Sequence, residues 1–107
     1  MQGGSLMDLL TWLQHWYADH CDGEWEEFYG VEIRNVDNPG WVIHIDLTHT
    51  GMENKPFTEI RDDNGDDDWI FCQVRNDPSQ GMIFHGAGDP NKLVKILTVF
   101  RNWVENE

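Results

Sequence analysis

Apolar residues recur at helical spacing near the start of the chain: Leu6, Leu9, Leu10, Leu13, Trp16 and Tyr17. That spacing predicts a helix from about Leu6 to Asp19. Asp8 falls in its first turn, where a carboxylate meets the positive end of the helix dipole. Asp22-Gly23 stops the helix, with Gly23 free to take positive φ. A second helical stripe closes the chain, where Leu93, Ile96, Leu97, Phe100 and Val104 lie at i, i+3, i+4, i+7 and i+11, flanked by Trp103. Asp89 can cap this helix, and Pro90 suits its first position, where a missing N–H costs nothing.

Between the helices the period changes to two. Val31, Ile33 and Asn35 alternate with Glu32, Arg34 and Val36, which predicts a strand. Trp41, Ile43, Ile45 and Leu47 alternate with Val42, His44, Asp46 and Thr48, a strand with one apolar face. Asn38-Pro39-Gly40-Trp41 joins them as a turn, in which Gly40 would supply the positive φ of type II. Pro-Gly fits a tight two-residue hairpin poorly, so a longer or bulged loop is expected. Thr50 to Asp68 is polar, with a short strand around Phe57 to Arg61. Asp62 to Asp68 is a turn, because Asn64-Gly65 is a strong turn dipeptide and the flanking charges repel into solvent. Trp69 to Arg75 is a strand with Ile70, Cys72 and Val74 on one face. Asn76 to Gly81 is a loop, Met82 to His85 a short strand, and Gly86-Ala87-Gly88 a strand-to-helix turn. Helix, four to five strands, helix is an α+β domain: a mostly antiparallel sheet with the N-terminal and C-terminal helices packed on one face. Residues 6–107 form this single domain, and Met1 to Ser5 are set apart from it.

Composition narrows what such a domain can do. The 107 residues carry 20 acidic and 7 basic side chains, a formal net charge of −13. That sign disfavours nucleic acid and anionic lipid and favours a basic partner or a cation. With 39% hydrophobic residues and six Trp, the chain can pack an aromatic-rich core and is no disordered acidic tail. No apolar run approaches the length of a bilayer span and no signal segment is evident, so the cytoplasm is the expected location, with Cys21 and Cys72 reduced.

The candidate chemistry is sparse. An EF-hand loop with Gly65 at its sixth position would begin at Ile60 and end at Phe71, and neither is a ligand. His15, His20, Cys21, Asp22, Glu24, Glu26 and Glu27 crowd the end of the first helix, but no Cys-x-x-Cys or His-x-x-x-His pair is present. Cys21 lies among carboxylates at a helix C-terminus and Cys72 on an inward strand face, neither of which activates a thiolate. Gly86-Ala87-Gly88 lacks the third Gly and the Lys of phosphate loops. A stacking platform of Trp for bases would need a positive groove. No catalytic residue, cofactor or metal site is expected. The alternative is a small acidic metal-binding protein or enzyme built on the His, Cys and acids around Cys21.

Several strings carry a resemblance. Trp12-Leu13-Gln14-His15-Trp16-Tyr17, Cys21-Asp22-Gly23-Glu24-Trp25-Glu26, Tyr29-Gly30-Val31-Glu32-Ile33, Asp37-Asn38-Pro39-Gly40-Trp41, Asp68-Trp69-Ile70, Gly86-Ala87-Gly88 and the Leu93 to Trp103 helix together resemble the bacterial immunity protein 53 family. Glu27 departs from the family's pattern, where a His often follows Trp-Glu. The resemblance implies a small, non-catalytic cytoplasmic antidote that binds a toxin domain and blocks it. A toxin that attacks nucleic acid has a basic cleft, to which an acidic inhibitor would be steered. Two acidic segments are the candidate toxin-binding surfaces: Asp22, Glu24, Glu26 and Glu27, and Asp62, Asp63, Asp66, Asp67 and Asp68. Trp41, beside its turn, is a candidate anchor.

Overall fold

The computed structural model describes residues 8–106. Its elements are α1 (Leu9–His20), α2 (Trp25–Phe28), β1 (Val31–Val36), β2 (Gly40–Asp46), β3 (Ile60–Asp63), β4 (Trp69–Asp77), β5 (Gly81–Gly88) and α3 (Leu93–Glu105). The five strands form one antiparallel sheet in the order β1-β2-β5-β4-β3. This is the expected α+β arrangement, with the single-turn α2 as an addition. Leu6 and Met1 to Ser5 lie outside the described residues.

The period-two pattern of β2 translates directly into burial. Ile43, Ile45 and the following Leu47 are fully buried, and Phe84 of β5 and Cys72 of β4 join them on the same face. Helix α3 covers that face with Ile96, Leu97 and Phe100. Helix α1 leans on α3 through its indoles: the Trp16 and Phe100 rings meet edge to face at 5.1 Å, and Trp12 meets Phe100 at 5.9 Å. The long connection from β2 to β3 is tied under α3, where the Trp103 indole N–H donates to the Pro56 carbonyl at 2.7 Å and Lys55 donates to the carbonyls of Trp103 and Asn106. Lys55 thereby meets the negative end of the helix dipole.

Several local expectations are corrected. Asp8 does not sit inside the first turn of α1 but caps it, its carboxylate accepting the Thr11 N–H at 3.0 Å. The β1–β2 connection is longer than a two-residue turn, as expected, since Val36 pairs with Gly40 across Asp37-Asn38-Pro39. The Asn38–Pro39 peptide is cis, and Gly40 opens β2 without a left-handed φ. Gly40 is needed for space instead: a Cβ there would lie 2.5 Å from the Gly88 carbonyl oxygen. Gly86-Ala87-Gly88 is not a turn but the end of β5, and a Cβ on Gly86 would lie 2.4 Å from Ile96 Cγ2. The glycines let α3 approach the sheet. Helix α3 starts at Leu93, later than Asp89-Pro90 suggests: the Asp89 carboxylate caps the turn before it, accepting the Asn91 N–H at 2.8 Å, and is engaged with a strand as well. Fully buried, it accepts the Trp69 N–H at 2.9 Å. Asp62 and Asp63 belong to β3 rather than the turn, and β4 runs on to Asp77.

Candidate functional site

Chain direction changes sharply after α1, and carboxylates make the corner. Gly23 takes a φ of +98°. The Asp22 carboxylate accepts the backbone N–H of Glu24 and of Trp25, each at 2.9 Å. Glu26 reaches back to accept the N–H of Asp22 at 3.0 Å and of Gly23 at 2.8 Å. This reciprocal arrangement resembles a capping box, and it satisfies the N–H groups of the segment that leads into α2 and of its first residue, Trp25. The N–H of Trp25, then that of Glu24, hold the Asp22 carboxyl below its ordinary range.

The corner is pinned by Trp25. Its ring is 5% exposed and its indole N–H donates to the Thr48 carbonyl at 2.8 Å. Trp16 meets it edge to face at 6.3 Å, and Tyr29 lies 6.0 Å away on the other side. Tyr29 in turn meets His49 at 6.2 Å. His49 has a φ of +65°, and the Glu53 carboxylate accepts its N–H at 2.9 Å. Between these walls runs a groove of about 550 Å³, lined by His20, Trp25, Tyr29 and His49 with Asp22, Glu24, Glu27 and Phe28. Phe28 is 70% exposed. Glu24 and Glu27 are exposed, with no side-chain hydrogen bond among the described residues.

The four acids of the first segment therefore separate: Asp22 and Glu26 build the corner, Glu24 and Glu27 face the groove. The His and Cys of the same region are also engaged locally. His20 Nδ1 lies 2.7 Å from the Trp16 carbonyl and its ring 4.4 Å from Trp16, while Cys21 Sγ donates to the Tyr17 carbonyl at 3.4 Å. Among the described residues, no group of three or more His, Cys, Asp or Glu is placed to hold a metal ion. Both cysteines are free, and burial pushes the Cys72 thiol up to about 12.

The second acidic segment is a hairpin between β3 and β4. Asp62 accepts from the Asn64 amide at 3.1 Å, and Asp63 accepts the Gly65 N–H at 3.1 Å. Asp68 pairs with Lys92 at 2.8 Å, and Lys92 also meets Asp89 at 2.7 Å. The Lys92 ammonium, foremost among its partners, holds the Asp89 carboxyl down at about 2. Asp66 and Asp67 have no partner among the described residues. All seven positions from Asp62 to Asp68 are exposed. Trp41 lies at this end of the sheet too, but its indole N–H donates to the Pro90 carbonyl at 2.9 Å, so part of the ring is a strut.

The sheet does not bring the two segments together. The hairpin feeds the start of β4 at Trp69, whereas α2 meets the other end, where Gln80 donates to the Phe28 carbonyl at 3.0 Å and the Asp46 carboxylate accepts the Gly30 N–H at 2.9 Å. The length of β4 separates them, roughly 26 Å at strand rise.

Sequence reasoning does not pick out Phe28, Tyr29 or His49 as groove residues. A signal exists for two of them: Trp25, Phe28 and Tyr29 stand at i, i+3 and i+4, one face of a helical turn. Nor does it single out the sheet face that, among the described residues, no helix covers. There His44 and His85 pair from adjacent strands, Nε2 to Nδ1 at 2.8 Å, and burial, then the His44 charge, presses His85 down to about 4. Arg61 lies over the Phe71 ring at 4.4 Å on the same face.

Residues 10–105 match the family model described as Immunity protein 53, nearly the whole chain. No curated protein and no solved structure matches it. Among the described residues, no helix is long and apolar enough to cross a membrane.

Proposed function

The chain belongs to the immunity protein 53 family, whose general role is to neutralise toxins without catalysis of its own, and from that premise we propose that it binds one cognate toxin domain in the cytoplasm of the producing cell and blocks it by occupancy. The groove beside α2 carries this reading. Well-packed aromatic anchors ringed by polar groups are what tight protein interfaces use. Here Phe28 stands 70% exposed next to Tyr29, over the buried Trp25, with Glu24 and Glu27 as unpaired acids on its rim. Tying the corner through Asp22 and Glu26 presents that surface with little ordering left to do on binding.

The Asp62 to Asp68 hairpin has a different part in the proposal. Its acids are solvated, and the indoles nearest them, Trp41 and Trp69, are partly buried in the sheet's end rather than standing out as anchors. Charges of that kind raise the rate of encounter with a basic surface more than they hold the complex. The groove holds the toxin and the hairpin guides it. A basic nuclease-type cleft would suit both.

The test is co-expression. A toxin domain encoded beside this chain should arrest growth alone, and growth should return when this chain is supplied. Purified, the two should form a one-to-one complex whose affinity falls with salt. Growth that stays arrested, or two proteins that do not associate at low salt, would overturn the reading.

A further inference from the structure

We propose that β1 is a self-complementary edge through which two copies of this chain pair into one continuous sheet. A sheet has two edges, here β1 and β3, and an unpaired edge is a template for another strand. β3 is protected. It is four residues long, its last three are Arg61-Asp62-Asp63, and the solvated acids of the hairpin follow it. Paired with itself about Asp62, it would set the two Asp62 carboxylates directly against each other, with Arg61 opposite Asp63 on either side. β1 is longer and nearly balanced: Val31-Glu32-Ile33-Arg34-Asn35-Val36.

The hydrogen-bond phase of β1 fixes how it would pair. The Asp46 N–H donates to the Gly30 carbonyl at 3.0 Å, so Gly30 and Asp46 are a hydrogen-bonded pair. In an antiparallel ladder such pairs alternate, so Glu32 and Arg34 bond inward to His44 and Val42. The N–H and C=O groups of Val31, Ile33 and Asn35 then point off the edge. A twofold axis at Ile33 matches these groups with themselves: Ile33 opposite Ile33 of the second copy, and Val31 opposite its Asn35. Glu32 falls opposite Arg34 of the second copy in a non-hydrogen-bonded pair, the kind that brings side chains closest.

That register is also right in charge and in hydrophobicity. Glu32 and Arg34 already lie 3.7 Å apart along the strand, with side chains 58% and 48% exposed. Two copies would close them into a ring of alternating charge. Ile33, the large apolar residue exposed at the centre of the strand, would be covered by its own equivalent. The net charge of −13 opposes association, so pairing strengthens as salt screens the long-range repulsion while the backbone ladder remains.

Sedimentation equilibrium of the whole chain across a range of concentrations, at about 0.15 M salt and above, tests this. The native chain is expected to dimerise. Arg34→Glu lines up four carboxylates across the axis and should abolish the dimer, halving the measured mass. Glu32→Arg with Arg34→Glu in one chain restores the opposite charges and should restore it. Both sites are solvent-exposed, and circular dichroism checks that each variant is folded. A native chain that stays monomeric throughout overturns the proposal. So does a dimer indifferent to Arg34→Glu, or one that the double exchange fails to restore. Toxin binding is read separately, so a monomer that still neutralises leaves the functional reading standing.

Discussion

The two acidic segments have similar composition and opposite structural meaning. In Asp22 to Glu27, half of the acids serve the fold. Asp22 and Glu26 satisfy four backbone N–H groups between them and create the corner on which Trp25 sits. In Asp62 to Asp68 the carboxylates make short local bonds or none, and the one strong external tie is Asp68 to Lys92. The first is a built surface that happens to be acidic; the second is a charge held out on a hairpin. Affinity should reside in the first and encounter rate in the second.

The largest effect should come from the residue that makes the first region a structure. Trp25→Ala removes a ring that is 5% exposed and orphans the Thr48 carbonyl. A loss of about 3–5 kcal/mol in stability is expected, read as a lower urea midpoint with the slope preserved. Trp41→Ala at the hairpin end should cost clearly less, because that ring is only half-buried. Equal costs would erase the distinction. Next comes binding: Phe28→Ala should leave the fold alone, since its ring is 70% exposed. It should speed dissociation from the toxin about 30-fold, the signature of an interface anchor. An unchanged dissociation rate would move the interface elsewhere.

The hairpin should answer to a different measurement. Asp66→Lys with Asp67→Lys is expected to slow association about tenfold at low salt, with dissociation little changed. The difference should close as salt rises past the point where the Debye length falls to a few ångströms. If dissociation changed instead, the hairpin would be part of the held interface and the division between the regions would fail.

Much of the frame is legible in the chain, and what is not legible shares one cause. α1, α3 and β2 announce themselves by apolar period because each buries one face. Gly86, Gly88 and Gly40 read as turn residues because glycine's local signal is the same whether it bends the chain or admits a neighbour. For Gly86 and Gly40 it is Ile96 and the Gly88 carbonyl, distant in sequence, that decide between the two. Asp89 looks like a cap for the helix beside it, yet its carboxylate also accepts the N–H of Trp69, twenty positions earlier. At the candidate site, counting charges finds the acidic segments but does not separate Asp22 and Glu26 from Glu24 and Glu27. That separation lies in hydrogen bonds to backbone. Phe28 and Tyr29 escape notice because a single helical turn leaves too short a pattern to distinguish from a loop.

Acid titration should give the smallest effect and the finest division. The Trp25 and Glu24 N–H groups hold the folded Asp22 carboxyl below its ordinary value of 3.8. A carboxyl depressed in the fold contributes stability that is fully present above its unfolded pKa and is lost as pH falls through the folded one. The loss attributable to Asp22 therefore begins below about pH 4. Asp22→Asn keeps an oxygen that can accept the two N–H groups but has no proton to gain. Relative to the native chain, its stability should fall less steeply with acid below that point, though it starts lower because the charge-assisted bonds are weaker. Asp67→Asn removes no hydrogen bond among the described residues and serves as the control at the hairpin. Thermal midpoints of the three chains between about pH 5 and about pH 2.5 would compare them. Parallel curves for native and Asp22→Asn would show that the corner does not depend on a charged cap. The first segment would then differ from the hairpin in its aromatic packing alone.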